Sequence, residues 1–88
     1  MDLRDRTPYK KTAIFNVKNV PKAILKRHNT KEGVWGRLVI LSGSLVFIDL
    51  EKNEEFVLKK GEFHIIEPTK WHRLVLIDNP EFYIEFFK

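Results

Sequence analysis

The sequence E67-P-T-K-W-H-R-L-V-L76 joins a proline turn to a hydrophobic strand. Pro68 fixes its own φ angle and lacks a backbone N–H, so the residues around it favour a turn over a continuing strand. The segment that begins at His72 is short and rich in Leu and Val, which is typical of a strand that faces a core. The pattern therefore predicts that a turn delivers the His72 imidazole, with Trp71 beside it, onto the first position of a core strand.

Turn signals recur at short intervals along the whole chain and separate segments rich in Val, Ile, Phe and Leu. No segment keeps a 3.6-residue hydrophobic period over ten or more positions, so the pattern favours strands. The predicted strands are 12–17, 22–28, 34–41, 45–50, 55–59, 62–66, 72–77 and 81–87. Eight short strands at this spacing predict an all-β sandwich or barrel. We expect one domain over residues 1–88, with residues 1–9 as a loose N-terminal arm.

Two of the predicted strands are apolar on both faces. In V34-W-G-R-L-V-I-L41 and in F82-Y-I-E-F-F87, successive side chains alternate between faces, and each face carries large hydrophobic residues. Both faces are therefore expected to be covered, one by the barrel interior and the other by a second sheet or by a partner subunit in a homodimer. Glu85 lies between two aromatic residues on such a strand, so its carboxylate should have a cation, a metal ion or hydrogen-bond donors nearby.

Composition excludes several classes of protein. The chain is 43% hydrophobic, which argues against intrinsic disorder. It contains no cysteine, so it has neither disulfides nor thiolate ligands. It has no apolar run long enough to cross a bilayer, and its first residues lack the apolar block of a signal peptide, so a cytoplasmic protein without a membrane partner is expected. Residues 1–37 carry ten Lys and Arg against three acids, but these cations are scattered along strands, which argues against nucleic acid as the partner.

The three histidines are the neutral nitrogen ligands that the chain offers. His28 ends one predicted strand and His72 begins another, and strand ends that are distant in sequence can meet at one rim of a closed barrel. Two histidines and a carboxylate such as Glu85 would form a facial metal site with open positions, suited to Zn, Fe(II), Mn or Ni. The alternative is that each imidazole is a hydrogen-bonded residue of the barrel wall or rim, as expected for His64, which alternates with hydrophobic neighbours.

The segment G61-E-F-H-I-I-E-P-T-K-W-H72 resembles the second sequence motif of the cupins, G-x5-P-x-G-x2-H-x3-N. The separation of eleven positions between Gly61 and His72 matches that motif. The proline comes one place late, the inner glycine is absent, and Leu76 stands where the final Asn is expected. The first cupin motif is more degraded, and Gly36 occupies the place of its metal-binding Glu. The resemblance covers most of the chain without the usual set of four metal ligands.

A closer resemblance is to the small cupin family typified by YeaR, which also forms the N-terminal domain of some TehB tellurite-resistance methyltransferases. The matching segments are K26-R-H-N-T-K-E-G-V-W-G-R-L38, L41-S-G-S-L45, E67-P-T-K-W-H72 and Y83-I-E-F-F87. The resemblance implies a compact double-stranded β-helix of the cupin or jelly-roll type and a tellurite-resistance-like role. It does not imply methyl transfer, because that chemistry needs a separate Rossmann-like domain with a glycine-rich loop.

The polar positions that match the family are His28, Arg37, His72 and Glu85. On this resemblance, His28 and His72 are expected to bind a divalent metal, with Glu85 as a third ligand. Arg37 would face an oxyanion, because a guanidinium can grip an oxyanion with two hydrogen bonds; alternatively, it neutralises Glu85.

Ligand contacts are also expected from three aromatic residues, Trp35, Trp71 and Tyr83. For the two tryptophans the alternative is core packing, which is favoured because large aromatic residues dominate small cores. The leading functional hypothesis is a metal-binding cupin that binds or senses a small ligand, such as an oxyanion, inside the barrel. A metal-dependent enzyme of unknown reaction and a dimerising interaction module without catalysis are the alternatives.

Overall fold

A computed structural model describes residue 3 and residues 5–88 of the chain. Over these residues, five strands and one short helix form in the order β1 (Pro8–Lys11), α1 (Lys22–Lys26), β2 (Trp35–Asp49), β3 (Glu54–Lys59), β4 (Phe63–Ile66) and β5 (His72–Phe87). All strand pairs are antiparallel, so the predicted all-β class is confirmed. Over the described part of the chain, no helix is long and apolar enough to cross a membrane.

The two longest strands, β2 and β5, form the centre of the sheet. The strand order is β1-β5-β2-β3, and β4 also pairs with β2. On the side of β2 away from β5, its first half pairs with β4 and its second half with β3. The ladder between β2 and β5 extends from the Trp35–Phe87 pair to the Asp49–His72 pair. One end of this ladder therefore carries His72, the residue that follows the proline turn.

The β2–β5 ladder bends near its middle. A straight strand of fifteen residues would measure roughly 50 Å, whereas the longest dimension of the molecule is 33 Å. The register shifts on both sides of Ser42, which marks bulges, and bulges bend strands. Gly43 adopts a φ of +67°, and a Cβ at this position would collide with the carbonyl oxygens of Asp78 and Asn79 on the facing strand. Glycine is therefore needed where the two strands bend together.

The hydrophobic core lies on one side of the bent sheet, which we call the inner face. Ten buried residues form it: Ile24, Leu38, Ile40, Leu45, Phe47, Leu58, Ile66, Leu74, Phe82 and Ile84. The strand members follow the alternation expected of strands with one face against a core. Helix α1 contributes Ile24 and covers part of β5. Other apolar side chains, among them Val57 and Ile77, remain exposed on the opposite side, which we call the outer face.

Several predicted elements differ from the structure. The predicted strands 34–41 and 45–50 form the single strand β2, and 72–77 and 81–87 form the single strand β5. The turn signals between them, at Gly43 and at Asp78–Pro80, face each other and form bulges within a continuous ladder instead of ending the strands. The predicted strand 22–28 is mostly helix α1. Its residues Ala23, Leu25 and Lys26 have high helix propensity, and Pro21 is tolerated at a helix start.

The N-terminal segments also differ from the prediction. Predicted strand 12–17 is reduced to a single bridge between Phe15 and Phe82. The loose arm expected for residues 1–9 is partly a strand, because β1 pairs with β5, and Thr7 and Lys88 exchange two backbone hydrogen bonds of 3.0 Å. Residues 1, 2 and 4 of that arm lie outside the described part of the chain.

Candidate functional site

The structure brings His28 and His72 side by side. Their backbones exchange two hydrogen bonds of 2.9 Å, which form an isolated antiparallel bridge. The two imidazole centroids are 5.7 Å apart, and the rings are inclined by 68°. Helix α1 ends at Lys26, and Arg27 returns the backbone to an extended conformation, so that His28 can pair with the first residue of β5. His72 is 3% exposed and is therefore almost entirely enclosed.

Five aromatic rings from five different segments form a continuous series on the inner face, which we call the ring series. From His72, the series continues through Phe47 at 5.1 Å, His64 at 4.3 Å and Phe56 at 4.7 Å, measured between successive ring centroids. His28 precedes His72 in this series. Phe47 contacts both His72 and His64, so the third imidazole joins the other two through a phenyl ring.

A pocket of about 620 Å³ opens beside the ring series. Its walls combine rings and aliphatic side chains with charged groups at the mouth. The lining residues are Phe47, Asp49, Glu51, Lys52, Glu54, Phe56, Phe63, His64, Ile65, Ile66, Glu67, Lys70, Trp71 and His72. An apolar wall with a few polar groups is typical of small-molecule sites, and this volume is in the usual range for them.

A hydrogen bond fixes the tautomer of His72. Its Nδ1 lies 3.2 Å from the carbonyl oxygen of Lys70. A carbonyl oxygen only accepts hydrogen bonds, so Nδ1 carries the proton and the neutral ring has an unprotonated Nε2. Within residues 3 and 5–88, the buried Nδ1 of His28 has no hydrogen-bond partner. The site therefore contains one imidazole with a defined acceptor nitrogen and a second with an unsatisfied ring nitrogen.

All three histidines favour the neutral form. Burial lowers the pKa of His28, and burial likewise lowers the pKa of His64 against a smaller opposing effect of the Asp49 carboxylate. For His72, burial is again the largest cause of the lowered pKa. The Lys70 carbonyl and Asp49 oppose it, and the positive charges that His28 and His64 would carry lower the pKa further. At neutral pH the ring series is therefore uncharged.

The turn at the mouth of the pocket is held by two carboxylates. Asp49 Oδ1 accepts hydrogen bonds of 2.9 Å from the backbone N–H groups of Glu51 and Lys52. Glu51 Oε2 accepts a hydrogen bond of 2.9 Å from the backbone N–H of Trp71. The guanidinium carbon of Arg27 lies 4.2 Å from the Trp71 ring centroid. These contacts connect the β2–β3 turn to the proline turn and keep the mouth in one arrangement.

The remaining predicted site residues lie along the other half of the β2–β5 ladder. Arg37 and Glu85 are register partners, and Arg37 Nη2 donates a hydrogen bond of 2.7 Å to Glu85 Oε1. Trp35 is buried, and Tyr83 lies beneath Lys11, whose Nζ is 5.1 Å from the ring centroid. None of these four residues lines the pocket. The alternative role of Arg37, neutralising Glu85, is therefore the one that the geometry shows.

The predicted three-ligand set of His28, His72 and Glu85 is not gathered at one point. Over residues 3 and 5–88, no group of three or more His, Cys, Asp or Glu side chains lies close enough together to hold a metal ion. Glu85 pairs with Arg37, and His64 is separated from His72 by the phenyl ring of Phe47. Of the residues predicted for the site, the structure thus brings together His28, His72 and Trp71.

Sequence reasoning missed Phe47, Asp49 and Phe56 as pocket residues and treated His64 as a wall residue. In the sequence, Leu45, Phe47 and Asp49 alternate and so share the core face of one strand. The acidic Asp49 at the end of that apolar face was a signal that could have identified a pocket residue. The pairing of Phe47 with Phe56 depends on the β2–β3 register, which the sequence does not reveal.

We predict that the chain loses stability as the pH falls through the histidine range. The three imidazoles have folded-state pKa values below the ordinary value of about 6.5, so the unfolded chain binds protons first and stability declines as the pH falls from about 6.5 towards those lower values. Urea unfolding of chelator-treated protein between pH 7.5 and about 5.5 should show this decline. His64→Gln should reduce the slope. A free energy of unfolding that stays constant or increases over this interval would contradict the prediction.

Comparison with known proteins identifies relatives of this chain. A family model described as the TehB-like domain matches residues 10–84. The probable S-adenosyl-L-methionine-dependent methyltransferase TehB of Haemophilus influenzae is 35% identical over 85 residues, which cover 90% of this chain and 30% of that protein. The chain therefore spans less than a third of the length of this relative. The uncharacterized protein YeaR of Escherichia coli K12 is 28% identical over 86 residues, covering 86% of this chain and 72% of YeaR.

Solved structures agree on the fold. A crystal structure of a protein from Escherichia coli K12 superposes with a TM-score of 0.87 at 24% identity, over 97% of this chain and 92% of that chain. A cupin-2 domain protein from Shewanella frigidimarina superposes with a TM-score of 0.59 at 15% identity, over 67% of this chain and 55% of that one. The fold is therefore cupin-like, and the family predicted from the motifs is confirmed. Because the family model matches residues 10–84, which are most of the chain, this chain belongs to the TehB-like domain family.

Proposed function

We propose that this chain is a small-ligand-binding domain that holds its ligand in the pocket beside the ring series. The observation that carries the proposal is the pocket itself, about 620 Å³ in volume, with His72 and aromatic rings in its wall and charged groups at its mouth. The proposal includes a double-stranded β-helix architecture, which the bent β2–β5 ladder and the cupin-like neighbours support. The ordered mouth favours binding, because a preformed site loses little conformational entropy when the ligand enters.

A neutral aromatic alcohol of suitable size, benzyl alcohol, tests this proposal. We expect it to shift the side-chain resonances of Phe56 and Ile66, which line the pocket, and to leave those of Val75 on the outer face unchanged. Phe56→Leu should weaken binding severalfold because a wall ring is lost. Val57→Leu, at the neighbouring position on the outer face, is the control. Nuclear magnetic resonance titration measures both effects, and shifts confined to the outer face would refute the proposed site.

A divalent metal ion at His28 and His72 is a second candidate, favoured by the unsatisfied His28 Nδ1 and the acceptor Nε2 of His72. Two imidazoles that bind one ion at about 2.1 Å hold their centroids roughly 5 to 6 Å apart, and the observed separation is 5.7 Å. Zn, Fe(II), Mn and Ni all accept imidazole. Such an ion would act as a Lewis acid for ligand oxygens. An oxyanion ligand would need that positive charge, because Arg37 is engaged by Glu85.

We predict that His28→Asn and His72→Asn each weaken Zn²⁺ binding by at least about tenfold, because each removes one of two nitrogen ligands. Isothermal titration calorimetry at pH 7.5 measures the affinity. His64→Asn is the matched control and should leave the affinity nearly unchanged, since Phe47 separates His64 from the pair. Equal losses in all three variants, or no Zn²⁺ binding by the unmodified chain, would exclude this candidate.

We also propose that the chain forms a homodimer through the outer face. Val57, Val46 and Val75 are register neighbours on β3, β2 and β5 and form a continuous aliphatic row, with Ile77 beside it. Val57 is 56% exposed and Ile77 is 40% exposed, so the row is open to a partner. A second copy could cover it by a two-fold arrangement in which the same surface meets itself.

Val57→Glu should convert the dimer to a monomer at micromolar concentration, because it places a carboxylate in the buried centre of the proposed interface. Val17→Glu alters a valine of similar exposure, 50%, outside the strands and should leave the dimer intact. Sedimentation velocity distinguishes the two states. A monomeric unmodified chain at this concentration would rule out the homodimer.

A further inference from the structure

The charge of the pocket lining is opposite in sign to that of the whole chain. The chain carries a net charge of +4 at neutral pH. The pocket is lined by four carboxylates, those of Asp49, Glu51, Glu54 and Glu67, and by two ammonium groups, those of Lys52 and Lys70. The Nζ atom of Lys70 lies 3.9 Å from Oε1 of Glu51, so the positive charge of Lys70 is partly neutralised. The lining therefore has an excess of two negative charges, one of which the Arg27 guanidinium over Trp71 offsets, and the remaining negative charge favours a cation in the pocket and opposes an anion.

The hydrogen-bonding groups of the lining point to the same kind of ligand. The protonated Nδ1 of His72 donates to the Lys70 carbonyl, so the other ring nitrogen, Nε2, accepts. Carboxylates also only accept when they are ionised. A ligand that pairs with Nε2 of His72 must then supply an N–H or O–H donor, and the four carboxylates of the lining outnumber its two ammonium donors, those of Lys52 and Lys70. A fully ionised oxyanion offers acceptors alone and would leave Nε2 of the enclosed His72 unpaired, which is unfavourable.

The rings of the pocket add a third, independent contribution. Phe56 and Trp71 line the pocket, and Phe56 is 36% exposed, so part of its side chain is accessible to a ligand. The face of an aromatic ring attracts a cation through its quadrupole. The protein already uses this interaction at the pocket mouth, where the guanidinium carbon of Arg27 lies 4.2 Å from the centroid of Trp71.

We propose that the metal-free pocket selects a protonated organic amine, held by cation–π contact with the rings, by the carboxylates at the mouth and by an N–H donated to Nε2 of His72. This inference deepens the proposed function and rests on it, because it assumes that the pocket binds a small ligand. A primary ammonium group on a short apolar or aromatic body satisfies all three features: positive charge, donor hydrogens and apolar surface.

Three probes that share a phenyl ring and carry a cationic, a neutral or an anionic polar group test the selection. Benzylammonium, benzyl alcohol and benzoate share one ring and are titrated into chelator-treated protein at pH 7.5 and low ionic strength. We expect benzylammonium to bind at least about tenfold more tightly than benzyl alcohol, and benzoate to bind more weakly than both. The preference for benzylammonium should decrease as salt is added, because mobile ions screen the carboxylates at the open mouth.

Two glutamates provide matched variants. Glu54 lines the pocket, whereas Glu55, the next residue of β3, points to the outer face with its register partner Ile48. Glu54→Gln, and more so Glu54→Gln combined with Glu67→Gln, should reduce benzylammonium affinity severalfold and leave benzyl alcohol affinity unchanged. Glu55→Gln should change neither affinity. These exposed positions allow the substitutions without loss of the core.

Each outcome has a distinct meaning. Preference for benzylammonium that is lost in the Glu54 and Glu67 variants supports the inference. Binding of benzyl alcohol in the pocket with no preference for benzylammonium, or with tighter binding of benzoate, overturns the inference and leaves the small-ligand pocket in place. If none of the three probes shifts the pocket resonances at millimolar concentration, the inference and the proposed pocket function both fail.

Discussion

The antiparallel ladder between β2 and β5 is the constraint on which the rest of the structure depends. A shift of one residue in an antiparallel register would move every side chain of a strand to the opposite face. In the observed register, Leu45 and Phe47 face the core, and Asp49 lies opposite His72 at the end of the ladder. The bulges near Gly43 preserve the ladder and bend it, which allows two long strands to enclose one core. The pocket is thus a consequence of where this ladder ends.

The pocket forms where the core meets the turns. Along β2 the inner face changes from Leu45 to Phe47 to Asp49, so an apolar wall becomes an acidic mouth within two strand positions. The proline turn adds Trp71 and His72, and the Lys70 carbonyl orients the His72 ring. Because burial keeps the imidazoles neutral, the negative charge of the mouth is not cancelled by the histidines. The pocket therefore combines an apolar wall with hydrogen-bond acceptors. A cation that carries donor hydrogens would contact both.

Much of this arrangement could be predicted from the sequence because local patterns carry it. The turn before His72, the all-β class and the family all follow from turn residues, strand alternation and motif spacing. The β2–β5 continuity could not be predicted, since S42-G43-S44 and D78-N79-P80 are strong turn signals in isolation and become bulges only when they face each other. The Arg37–Glu85 pair and the contact of Phe47 with two histidines likewise depend on register between distant strands, on which local sequence is silent.

The most direct test of the account concerns the proton of His72. A pocket that accepts an N–H from its ligand requires the His72 proton on Nδ1, donated to the Lys70 carbonyl, and Nε2 free to accept. Long-range proton–nitrogen correlation spectra of nitrogen-15-labelled, chelator-treated protein at pH 7.5 distinguish the two ring nitrogens. We expect a pyrrole-type nitrogen at Nδ1 and a pyridine-type nitrogen at Nε2 of His72. The opposite tautomer, or an imidazolium with both nitrogens protonated at this pH, would contradict this expectation.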